Sequence, residues 1–119
     1  MERQDIQSAY NDIVAHIEKQ SGQYETWFVD TTSDWKNTIF KKHGVPLKGH
    51  WWMVRHCYTP IAAKSVKESL SELGCKVGPN ANLGRDVVYV YAYLISDATK
   101  QGDEKEEEEP ANEPPSVTL

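Results

Sequence analysis

Asp86-Val87-Val88-Tyr89-Val90-Tyr91-Ala92-Tyr93-Leu94-Ile95 is the stretch on which the fold turns. Tyr89, Tyr91 and Tyr93 alternate with Val88, Val90, Ala92 and Leu94, and a period of two is the signature of a strand. Neither set is charged, so both faces of this strand need at least partial cover. Upstream, 75–85 holds Gly78, Pro79, Asn80, Asn82 and Gly84, the composition of a loop. Thr59-Pro60 opens a helix before it: Thr offers an N-cap oxygen, and Pro at the first helical position has no intrahelical bond to lose. Ala63, Val66, Leu70 and Leu73 form its apolar side, and Gly74 suits its end. Trp51 to Tyr58 is long and bulky enough for a central strand.

In the N-terminal half, Ile6, Tyr10, Ile13, Val14 and Ile17 recur at intervals of three and four, which predicts an amphipathic helix from Arg3 to Gln20. Tyr24 to Val29 predicts a third strand that ends near Asp30. Thr31-Thr32-Ser33 supplies N-caps for a short helix from Asp34 to Gly44, with Trp35, Ile39 and Phe40 inside and Lys36, Lys41, Lys42 and His43 solvated. The order α-β-α-β-α-β predicts a small α/β or α+β domain over 1–100: a three-stranded sheet flanked by about three helices, with parallel and antiparallel pairing both open.

The chain has 119 residues, 13 basic and 18 acidic, for a net charge of −5. Residues 101–119 hold seven acids against Lys105 alone, a balance of −6, which leaves +1 in 1–100. The acidity therefore belongs to the tail, which has almost nothing apolar to bury and is expected to be disordered. Composition excludes a disulfide-rich miniprotein, a collagen-like repeat and a strongly basic nucleic-acid binder. The first twenty residues lack a long apolar core, so neither a secretory signal nor a membrane anchor is expected, and the location implied is cytoplasmic. There, Cys57 and Cys75 are expected as packed thiols.

Four histidines raise the question of a metal. His50 and His56 would share a strand face about 20 Å apart, too far for one ion, and no metal site is expected. No Gly-rich phosphate cradle and no nucleophile motif is present. Trp27, Trp35, Trp51 and Trp52 have Lys36, Lys41, Lys42, Lys48 and Arg55 near them in sequence, a pattern that also suits nucleic acid.

Trp27-Phe28-Val29-Asp30-Thr31-Thr32-Ser33-Asp34, with the helix ending Lys42-His43-Gly44, resembles a strand and helix of GIY-YIG nuclease domains. Ala63-Lys64-Ser65-Val66-Lys67 is similar to the family's metal-binding helix and Tyr89-Val90-Tyr91 to its first strand, in a circularly permuted order. Asp30 replaces the strand-ending glycine, Asn37 or Thr38 stands where an arginine is expected, and Lys67 stands where the glutamate is expected, with Glu68 beside it. An ammonium cannot hold a cation, so the resemblance implies a scaffold that has lost hydrolysis.

These readings lead to a non-catalytic protein-interaction or regulatory module that takes a protein partner, with Trp51, Trp52, Arg55, Lys41 and Lys42 as binding residues and no cofactor. One alternative is a nuclease dependent on Mg or Mn that uses Tyr89, Tyr91, His43 and Glu68. The other is a nucleic-acid binder without catalysis.

Overall fold

The computed structural model of the chain describes residues 1–46, 48–79 and 84–101. The strands are β1 (Arg3–Gln4), β2 (Trp27–Thr32), β3 (Trp52–Cys57), β4 (Lys76–Val77) and β5 (Tyr89–Leu94), and the α-helices are α1 (Ile6–Gln20) and α2 (Pro60–Glu72). A 3-10 turn at Tyr24–Thr26 leads into β2, and a π-helical segment at Asn37–Lys42 follows it. The acidic run beyond Gln101 lies outside the described residues.

The strands form one sheet in the order β1-β3-β5-β2-β4. β1 is parallel to β3, β4 is parallel to β2, and β5 is antiparallel to both β2 and β3. Hence β1, β2, β3 and β4 point one way and β5 runs back between them. The expected three-stranded sheet is corrected to a five-stranded mixed sheet in an α+β fold. The additional strands have two residues each, too few for alternation to register. Arg3-Gln4 reads as the start of the helix and Lys76-Val77 as part of the loop.

Local chemistry explains the shifted boundaries. Asp5 caps α1, its Oδ1 accepting from Ser8 N at 2.8 Å, so the helix starts at Ile6 and Arg3-Gln4 is free to pair with β3. Thr59 caps α2 as its sequence predicts, accepting from Ala62 N at 3.0 Å. The short helix after β2 is π-helical: His43 N donates to Thr38 O, five residues back, at 3.0 Å. Gly44, at φ +69°, ends it, and a Cβ there would stand 3.2 Å from the Ala98 carbonyl oxygen.

Strand alternation builds a core on each face of the sheet. Val29, Met53, Val90 and Ala92 pack under α1 and α2 with Ile13, Ile17, Val66 and Leu70. Phe28, Val54, Tyr91 and Tyr93 pack on the other face with Ile39 and Val45. Each buried aliphatic or aromatic side chain here is worth about 1.5–3 kcal/mol. Both thiols are buried, and burial raises the pKa of Cys57 and pushes Cys75 up to about 11. Among the described residues no helix is long and apolar enough to cross a membrane.

Candidate functional site

The face under the π-helical segment is organised in cross-strand rows. Register places Trp52, Tyr93 and Phe28 side by side, and beside them Val54, Tyr91 and Asp30. His43 enters this layer from the end of the π-helical segment. Its sequence neighbourhood predicts a solvated helix end, but the ring is buried against Phe28, Tyr91 and Tyr93. The Lys100 carbonyl, which can only accept, lies within hydrogen-bond reach of His43 Nδ1 and sets the proton on that nitrogen. Nε2 then accepts from the Tyr91 hydroxyl at 2.7 Å. The Tyr93 hydroxyl, 3.0 Å from Nδ1, donates to Gln101 Oε1 at 3.0 Å. Burial lowers the His43 pKa and raises those of both tyrosines, Tyr91 strongly. The cluster is therefore a neutral lock that ties 96–101 onto the sheet.

Lys67 is the charged counterpart. It follows Ala63 and Val66 on the buried side of α2 and is itself only 4% exposed. Its Nζ lies 2.9 Å from Asp30 Oδ1 and 3.4 Å from the Pro79 carbonyl oxygen. Asp30 Oδ1 also accepts from Thr31 N at 2.8 Å. Space for the carboxylate comes from Gly78: a Cβ there would fall 2.0 Å from Asp30 Oδ2. The lysine at the position likened to a metal-binding glutamate thus has its own internal anion.

The four residues of the nuclease alternative do not converge. His43 and Tyr91 share a hydrogen bond. Tyr89 instead stacks on His56, ring centroids 4.5 Å apart. Glu68 is exposed on α2, 4.0 Å from Lys64. The cleft lined by Lys67 and Glu68 and the cleft lined by Tyr89 share no residue. Among the described residues no group of three or more His, Cys, Asp and Glu could hold a metal ion.

The proposed binding residues also divide between the two faces. Trp51 is half exposed and rests edge-on against His16 of α1. Arg55 is engaged with Asp12 of α1 at 2.9 Å. Trp52 lies on the opposite face, stacked on Trp35 at 5.9 Å and edge-on to Phe40 at 5.1 Å. Lys36 places its ammonium 5.5 Å from the Trp35 ring centroid, and Lys41 and Lys42 are exposed beside Phe40 in the chain. The result is a half-buried aromatic platform of Trp35, Phe40 and Trp52 with one ammonium, that of Lys36, at its Trp35 ring.

Sequence reading missed the Lys67–Asp30 pair, the role of Gly78 and the burial of His43. A signal for the first was present, because 63, 66, 67 and 70 share one side of a helix and Asp30 shares a strand with apolar neighbours. The chain matches no family model, no curated protein and no solved structure.

Proposed function

We propose that this chain is a non-catalytic interaction module of the cytoplasm whose Trp35–Phe40–Trp52 platform docks an acidic, partly apolar segment of a protein partner. The positions likened to the GIY-YIG set have structural uses: Lys67 neutralises Asp30, and His43 with Tyr91 holds the C-terminal segment down. The observation that carries the proposal is the platform with Lys36 at its Trp35 ring, and Lys41 and Lys42, exposed and next in sequence to Phe40, add to the positive charge of the segment. Aromatic rings supply most of the contact energy at interfaces, and a rim of one charge sign selects the complementary partner.

The ring arrangement favours a protein segment over nucleic acid. Stacking a base requires a free π-face. Here Trp35 and Trp52 lie on each other, Lys36 sits by the Trp35 ring, and Phe40 is edge-on to both tryptophans. Such a surface receives aliphatic side chains between carboxylates better than stacked bases.

The test is a titration of the full chain with a peptide of alternating glutamate and leucine, followed at the indole N–H signals of Trp35 and Trp52. Saturable shifts at both, lost on Trp52→Ala, are expected. Tighter binding of a single-stranded oligonucleotide on the same signals would favour the nucleic-acid reading.

A further inference from the structure

The carboxyl ends of β1, β2 and β3 meet at one end of the sheet, where register forms a further row. Arg3 stands beside His56, His56 beside Tyr89 and Tyr89 beside Thr32. Cross-strand partners share a face, and alternation from Tyr89 to Tyr91 shows it to be the face of the histidine–tyrosine lock. The lock and the π-helical segment cover the rows of Tyr91 and Tyr93. At the Arg3–His56–Tyr89 row lies an open cleft of about 660 Å³, with Arg3, His56, Tyr58, Arg85, Asp86 and Tyr89 among its lining residues. Ligand sites typically measure 300–1,000 Å³ and favour the carboxyl ends of strands.

We propose that this cleft binds a nucleoside monophosphate, with the phosphate held by Arg3 and Arg85 and the base laid against Tyr58. Both arginines are exposed and form no ion pair with any described carboxylate. Guanidinium groups are planar donors matched to phosphate oxygens, and Ser33, which also lines the cleft, adds a hydroxyl donor. For the ring, Tyr58 is 58% exposed and so has surface to cover a planar group. His56 and Tyr89, stacked at 27° between planes, line the same cleft. Asp86 then chooses the class of ligand. Its carboxylate accepts from ribose hydroxyls or an exocyclic amine, which a phosphorylated tyrosine ring lacks. The same carboxylate opposes additional phosphates, which favours a monophosphate over a triphosphate.

This site is independent of the aromatic–lysine platform, and either can fail alone. The test is isothermal titration of the full chain with adenosine 5′-monophosphate, inorganic phosphate and adenosine, together with amide-shift mapping. The monophosphate should bind saturably with shifts at His56, Tyr58 and Tyr89, and the two fragments should each bind roughly tenfold more weakly or worse. Arg3→Ala and Arg85→Ala should each weaken the monophosphate by about tenfold. Arg3→Lys and Arg85→Lys keep the charge, lose the fork and should fall between. Lys19→Ala, at the exposed end of α1, should leave the affinity unchanged. Absence of saturation at about 10 mM, far above any specific affinity, would overturn the proposal. So would phosphate or adenosine alone binding as tightly as the monophosphate, or affinity indifferent to both arginine substitutions.

Discussion

Replacing Lys67 by methionine isolates the buried charge that neutralises Asp30. Methionine keeps the apolar stem in the stripe of α2 and removes the ammonium 2.9 Å from Asp30. Removing one partner of a fully buried pair costs about 3–5 kcal/mol. Asp30 keeps its bond from Thr31 N and its side chain is 20% exposed, so part of its solvation survives. The expected loss for Lys67→Met is therefore about 2–3 kcal/mol. Asp30→Asn should cost about 3 kcal/mol, because Lys67, with 5% side-chain exposure, loses its counter-charge and has only neutral acceptors left, the amide oxygen in its place and the Pro79 carbonyl at 3.4 Å. In the double variant no charge is stranded, so its loss should fall short of the sum of the single losses by at least about 1 kcal/mol. Urea denaturation at pH 7 measures all three, with an unchanged slope showing that only stability moved. A loss below about 0.5 kcal/mol for Lys67→Met, or strict additivity in the cycle, would refute the reasoning.

Gly78→Ala attacks the same pair from the other side: its Cβ would fall 2.0 Å from Asp30 Oδ2, so the carboxylate must swing away, and the melting temperature should drop about as far as for Lys67→Met. Tyr91→Phe leaves His43 Nε2 buried without its donor and should cost about 1–3 kcal/mol in the same denaturation assay. Burial lowers the pKa of His43 and His16 below 6.5, so the unfolded chain binds more protons below that pH. Their contribution to stability is complete above pH 6.5 and is lost as pH falls towards the folded values, which a melting series in pH will show, with a shallower slope for His43→Gln. With Mg or Mn added, Glu68→Ala and the unaltered chain should be equally inactive on duplex and single-stranded DNA; cleavage by the unaltered chain that disappears in Glu68→Ala would restore the nuclease reading.

The long elements were legible because their periodicity is long enough to repeat. Alternation through Tyr89–Leu94 and the Thr59-Pro60 cap identify a strand and the start of α2 without reference to tertiary context, while the place of that strand in the middle of the sheet is not readable from its residues. The two-residue edges were not, since their pairing depends on β3 and β2 and not on their own residues. His43 was misread for a related reason: proximity to a helix end predicts a solvated charge, whereas its environment is set by Tyr91 and Lys100, both more than forty residues away in the chain. Adjacent Trp51 and Trp52 looked like one patch, and strand geometry sends them to opposite faces.

A charge swap at the aromatic platform tests the interaction role most directly. Lys41→Glu with Lys42→Glu should weaken the glutamate–leucine peptide by at least about tenfold, and a lysine–leucine peptide should regain that affinity on the swapped chain. Equal affinity of the acidic peptide for both chains, with indole signals of Trp35 and Trp52 unmoved, would contradict the account.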